Sequence, residues 1–358
     1  MSTSERGPLR ARPIEPPEAI ELPSDFQPRR LLRRAVPVVL LLVALGLVVL
    51  LAPGLGSVRD RLAGGDPLWL GLAVVFEALS CTSYVLMFRP VFCNHMPWRT
   101  SWEISWASLA VGSIVPASGA AGLALGGWIL HEGGMPAERI ARRSVAFFLI
   151  KSSVNFVAVA ILGTVCALGL FGPDLSLWLT ALPAALSILL MGVVVLVPRL
   201  GPGPDPPDDA GRVRRGMTAA RRALVVGTAE AIDLIRARDP LLLVGAIGYW
   251  AWDNAVLWAT FNAFGAAPEL SVILLGYLIG QLGGLLPIPG GIGGIDGGLI
   301  GTLIVFGAPA DQTAAAVFAY RLILFWMPLS IGGLAFLSLK RSLDRADRPE
   351  LCVVPAAT

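Results

Sequence analysis

Apolar positions in this chain run in long unbroken tracts rather than in the narrow periodic stripes of a water-soluble fold. Six tracts are long enough to cross roughly 30 Å of hydrocarbon as helices. They are Ala35 to Leu51, Pro67 to Phe88, Ser144 to Phe171, Leu175 to Val197, Pro240 to Phe264 and Thr313 to Leu339. Two more are broken midway: Trp102 to Leu130 at Pro116-Ala-Ser-Gly119, and Leu270 to Phe306 at Pro287-Ile-Pro-Gly-Gly-Ile-Gly-Gly-Ile-Asp-Gly-Gly298. Each arm of a broken tract is about 12 to 17 residues, short for a full span and suited to a re-entrant hairpin. The pattern predicts an all-α, polytopic membrane protein with six full spans and two re-entrant, or short-span, helical hairpins. Irregular backbone at membrane depth is tolerated only where it faces protein or a water-filled cavity, so the breaks point to a site.

The pattern also recurs at a constant offset of 173 residues. Asp66-Pro67-Leu68 matches Asp239-Pro240-Leu241, Pro116 matches Pro289, Gly134 matches Gly307, Pro136-Ala137 matches Pro309-Ala310, and Leu149-Ile150 matches Leu322-Ile323. The expected organisation is one transmembrane domain, 35–340, holding repeat 1 at about 66–171 and repeat 2 at about 239–340, with a cytosolic linker at 198–239. Residues 1–34 and 341–358 read as cytosolic tails. The first is rich in Pro, Arg and Glu and is expected to be disordered. The apolar run after it is too long and too late for a cleaved signal peptide.

Composition agrees with the membrane class: 55% hydrophobic residues, 15% charged and a mean hydropathy of +0.71, more apolar surface than a soluble domain of this size can use. The net charge of +3 comes from loops beside apolar tracts and does not suggest nucleic acid. Cytoplasmic loops collect Lys and Arg. Arg29, Arg30, Arg33 and Arg34 place the N-terminus inside. Six spans and two hairpins then bring in Arg89 and Arg99, Arg139 to Arg143, the Arg199 to Arg238 loop and Lys340 to Arg348, and leave only Arg59 and Arg61 outside. The C-terminus is therefore cytoplasmic too. The two hairpins open to opposite sides, which makes the repeats inverted, as in transporters that hold substrate near the bilayer midplane. The four cysteines form no Cys-x-x-Cys pair, so neither a disulfide framework nor a thiolate metal site is indicated.

The candidate chemistry lies in four intramembrane charges. Lys151 and Arg321 occupy repeat-equivalent spans one helical turn apart, and so do Glu77 and Asp253. Each is costly at a helix centre, by about 2.5–3.5 kcal/mol on insertion scales, so none is expected to face lipid unpaired. Two readings are open. In one, Glu77 pairs with Lys151 and Asp253 with Arg321, as structural ion pairs. In the other, Lys151 and Arg321 bind an anionic headgroup while Glu77 and Asp253 act as counter-ions or proton carriers. Tyr320 lies beside Arg321. The breaks add Pro116, Ser118 and Gly119 from the first half and Pro289, Gly290, Gly291, Gly293, Gly294 and Asp296 from the second. Glycine there either lets backbone N–H groups converge on a phosphate or only permits a tight tip and close helix packing. His95 and His131 lack companions at metal-ligand spacing. No phosphate-binding loop, nucleophile elbow or acyltransferase motif is present. No metal, no cofactor and no enzymatic activity are expected.

The run Pro287 to Gly298, followed by Gly307-Ala-Pro-Ala310 and Ala319-Tyr-Arg321, resembles the C-terminal signature of the lysylphosphatidylglycerol synthase transmembrane-region family, the flippase-like module of the multiple peptide resistance factor and its standalone relatives. The likeness covers roughly residues 35 to 340 and is looser in the first half, where Pro116-Ala-Ser-Gly119 is poorer in glycine; Asp296 stands where that family often has Glu. It implies a flippase-like transporter in the bacterial inner membrane that handles an anionic or aminoacylated phospholipid, or a lipid-linked glycan. No aminoacyl-transferase domain is read in this sequence, so synthesis of a lysyl-lipid is not expected. The alternative is a non-transporting scaffold or accessory subunit for a separate envelope lipid- or glycan-modifying enzyme.

Overall fold

The chain is described by a computed structural model over residues 27–51, 56–115, 120–172, 176–204, 211–281 and 294–344. Every regular element among them is helical. The first half holds α1 (Pro28–Leu51), α2 (Gly56–Ala63), α3 (Pro67–Phe92), α4 (Trp98–Ile114), α5 (Ala120–Glu132), α6 (Ala137–Ala167) and α7 (Leu177–Leu196). A 3-10 turn, Val197–Leu200, extends α7. The second half holds α8 (Arg212–Arg236), α9 (Pro240–Ala263), α10 (Leu270–Gly280), α11 (Gly294–Val305) and α12 (Ala310–Asp344).

Among the described residues five helices are long and apolar enough to cross a membrane: α3, α6, α7 with its 3-10 turn, α9 and α12. The sixth expected tract, Ala35 to Leu51, lies in α1, which starts at Pro28 and so draws four arginines of the expected tail into its first two turns. The first broken tract is carried by α4 and α5 and the second by the shorter pair α10 and α11, the arms of each pair packed on one another.

Helix boundaries follow the 173-residue offset closely. Residues 67, 137 and 310 begin α3, α6 and α12, and 240 begins α9. Local chemistry repeats with them. Asp66 and Asp239 both cap their helices by accepting the N–H of Leu68 and Leu241, each ahead of a proline in the first turn, where a missing N–H has no cost. Gly134 and Gly307 have φ of +90° and +93°. Each follows a helix whose end is closed by the next residue's N–H bonding five residues back, Met135 to Leu130 and Ala308 to Leu303, a glycine-dependent C-terminal closure.

Contacts between the halves are reciprocal: α4 packs on α12 as α10 packs on α6, and α2 packs on α12 as α8 packs on α6. At the centre α3 lies against its own equivalent, α9, and the two run antiparallel. The Asp66 N–H donates to Ala263 O at 2.9 Å, and Ser80 Oγ donates to Tyr249 O at 3.1 Å. In both contacts the residue numbers total 329, which sets residue 78 against 251, its equivalent at the offset. Gly245 makes the approach close, because a Cβ there would lie 2.6 Å from the Met87 backbone. Apolar side chains then divide into two large clusters toward opposite ends of this pair. One gathers Tyr84, Phe88, Phe92, Phe147 and Leu242, and the other Phe261, Tyr277, Leu299 and Tyr320. Cys81 and Cys166 are free thiols.

Candidate functional site

Where α3 crosses α9, the two apolar clusters are separated by polar side chains. Glu77 is 5% exposed and Asp253 9%, and they are close enough to feel each other's charge. Glu77 accepts the Cys81 thiol at 3.3 Å. Asp253 accepts two phenols: Tyr320 Oη at 2.9 Å on one oxygen and Tyr277 Oη on the other. A carboxylate out of water is tolerated only when its lone pairs are met by donors or counter-charge, and two tyrosines from α10 and α12 meet those of Asp253.

Arg321 follows Tyr320 on α12 and turns to a different acid. Its Nε and Nη2 both lie 2.6 Å from Asp296 Oδ1, and both side chains are nearly buried. The expected pairing of Arg321 with Asp253 is therefore corrected: the contact goes to Asp296. The reason is where α11 begins. The glycine run was expected to stay irregular to Gly298, but Gly294 already opens α11 and carries Asp296 into its first turn, where a helix N-terminus favours an acid and α12 is adjacent. The expected contact of Glu77 with Lys151 is likewise replaced by Glu77 with Cys81. Lys151, half-buried on α6, sets its ammonium 5.5 Å from the centre of the Tyr249 ring, a cation–π distance. Asp253 lies within electrostatic range of both Lys151 and Arg321, one from each half of the chain.

Of the glycine and proline candidates, Gly294 is half-buried at the start of α11. Pro116, Ser118, Gly119, Pro289, Gly290, Gly291 and Gly293 lie outside the described residues.

The family model described as the lysylphosphatidylglycerol synthase TM region matches residues 37–332. The chain belongs to this family. It is similar to a protein of Methanothermobacter thermautotrophicus named UPF0104 membrane protein, at 24% identity over 318 residues, 83% of this chain and 93% of the relative. Two shorter matches carry the same name and organism: 30% over 86 residues, 24% of this chain and 26% of the relative, and 36% over 91 residues, 25% and 26%. Glu77, Lys151, Asp253, Asp296 and Arg321 all fall inside the family match.

In this member of the lysylphosphatidylglycerol synthase TM-region family, sequence reasoning missed Tyr277, Tyr249 and Cys81. A usable signal existed. The chain has four tyrosines, and tyrosine in membrane proteins usually marks helix ends at the interface, yet Tyr84, Tyr249, Tyr277 and Tyr320 all sit within apolar helices. Tyr84 and Tyr249 lie 5.8 Å apart, centre to centre, and the other two hold Asp253. The site is also lopsided. Repeat-equivalents of Tyr277, Asp296, Tyr320 and Arg321 are Ile104, Leu123, Phe147 and Phe148, so polar ties between the broken element and its neighbours are built into the second half at positions that are apolar in the first.

Proposed function

We propose that this membrane protein moves a phospholipid or a lipid-linked substrate between the leaflets of the inner membrane by alternating access between inverted repeats. Inverted repeats require equivalent helices to cross the membrane in opposite directions. The antiparallel crossing of α3 with α9 and the reciprocal packing of the halves support that arrangement. The arginine distribution supports six spans, two hairpins and cytoplasmic termini.

The observation that carries the reading is the buried acid pair at the crossing, with Asp253 in electrostatic range of Lys151 from one half and Arg321 from the other. Arginine's planar fork suits a phosphate as well as a carboxylate. An anionic headgroup reaching Arg321 takes the place of Asp296 on the guanidinium and frees the first turn of α11. Asp253, held by Tyr277 of α10, keeps the other arm in place. Substrate is thereby exchanged for an internal carboxylate on the guanidinium, and the displaced Asp296 stays in the first turn of α11, where the helix N-terminus favours an acid.

The test is lipid translocation in proteoliposomes carrying a fluorescent phosphatidylglycerol, followed by quenching of the outer leaflet. Wild-type protein should exchange the probe between leaflets, and Arg321→Lys should lose most of that rate. Equal rates in Arg321→Lys, Asp253→Asn and wild type would overturn the reading. A second reading, a non-transporting scaffold for an envelope enzyme, draws on the tight closure of Asp253 by two phenols. It predicts no translocation by the wild type and co-purification of a stoichiometric partner.

A further inference from the structure

A second charged region lies away from the crossing, where the N-terminal half of α8 approaches the first turns of α6. Between them is a cleft of about 430 Å³, within the size range of small-molecule pockets. Its walls are apolar, from Ala141, Ala219, Ala223 and Val226, and Arg142, Arg215 and Arg222 stand around it with Glu138. We propose that this cleft binds the anionic headgroup of a membrane phospholipid, apart from any substrate at the α3–α9 crossing.

Charge points that way first. Five arginines fall between Arg212 and Arg222, and no acid occurs from Gly211 to Ala229. A basic amphipathic segment of this kind is drawn to anionic lipid. Position points the same way. At 31 residues, α6 is about 46 Å long, well beyond the roughly 30 Å hydrocarbon core, so its basic first turns, with Arg139, Arg142 and Arg143, reach the headgroup layer. The far wall is tied to a second span end: Arg221 donates to Leu200 O at 3.2 Å, at the end of the turn extending α7. Val213, Met217 and Leu224 are 78%, 70% and 49% exposed and project from one face of α8 at helical spacing. The same face is buried further along at Ala231. At about 100° per residue this stripe lies on the far side of α8 from the cleft-lining Arg215, Ala219, Arg222 and Val226, so it sets α8 at the boundary between headgroup and acyl chain with the cleft on the helix's other side. The guanidinium groups of Arg215 and Arg222, beside Arg142, whose Nε holds Glu230 at 3.0 Å, then meet the phosphate, and the alanine-lined walls receive the glycerol end of the acyl chains.

Native mass spectrometry of the full-length, delipidated protein in detergent tests this, with phosphatidylglycerol, phosphatidylcholine and soluble glycerol phosphate offered separately. Wild type should retain phosphatidylglycerol over phosphatidylcholine by about tenfold or more, the scale of one or two charge-assisted bonds, and should not retain glycerol phosphate. Arg215→Gln with Arg222→Gln should bring the two lipids near parity. Ala219→Trp, at an exposed position, should block the cleft without removing charge and have the same effect, while Arg99→Gln on α4 should leave the preference intact. Undiminished preference in both cleft variants overturns the proposal. So does equal retention of both lipids by wild type. Retention of glycerol phosphate as tight as that of the lipid would instead mark a soluble-phosphate site and sink the lipid assignment.

Discussion

Asp296 and Arg321 form a nearly buried ion pair, and such pairs have an asymmetric energetics. Removing one partner strands a charge and destabilises by about 3–5 kcal/mol, whereas replacing both with apolar groups of similar volume is often neutral. Asp296→Leu alone should therefore lower the thermal midpoint of the detergent-solubilised protein markedly. Asp296→Leu with Arg321→Leu should recover most of that loss while translocation stays abolished. Recovery of stability together with full translocation would reduce the pair to scaffolding. The two phenols on Asp253 permit a companion measurement. Tyr277→Phe and Tyr320→Phe each remove one hydroxyl donor, for about 1–3 kcal/mol, and because they share one acceptor the double variant should depart from the sum of the singles. The individual charges were legible in the sequence because a charge within an apolar tract is expensive wherever it falls. Their pairing was not legible. It depends on which side chains α11 and α12 bring within 3 Å, and a shift of a few residues in where α11 begins decides that.

At the scale of elements, the second broken tract owes its closeness to glycine at two facing positions. A Cβ on Gly298 would lie 2.6 Å from Gly280 O, and one on Gly280 would lie 2.8 Å from the Leu299 Cα. Gly297 and Gly301, on the same helix, have nothing within 4 Å of the same construction. Alanine should thus act in opposite directions within one helix. Gly301→Ala should stabilise by up to about 1 kcal/mol through helix propensity, and Gly298→Ala should destabilise by pushing α10 and α11 apart. Thermal midpoints of the two variants against wild type decide it, and a Gly298→Ala protein as stable as wild type would show that the arms are not held at this distance. Helix positions were well foreshadowed by the tracts and the offset, since apolar length and proline placement act locally. The start of α11 was not. A string of glycines has the signature of a turn, and only packing against α10 and α12 makes it worth winding into a helix.

For the whole molecule, the decisive question is whether the halves are inverted in the membrane. Ala137 and Ala310 are equivalent at the 173-residue offset, each is the first residue of its long helix, and both are exposed. Position 308, in the turn just before, is buried and would report packing rather than sidedness. Inversion puts residues 137 and 310 on opposite membrane faces, in keeping with Arg139, Arg142 and Arg143 following the first and no basic residue following the second until Arg321. With the native cysteines replaced, Ala310→Cys should react in intact cells with a maleimide that cannot cross the membrane. Ala137→Cys should react only after permeabilisation. Ala137 also borders the α6–α8 cleft, so its labelling after permeabilisation is the control that the site is reactive, and the difference between the two positions in intact cells then reports the side of the membrane. Labelling of both from the same side would mean that the repeats are parallel, and alternating access about the α3–α9 crossing could not then be built from them.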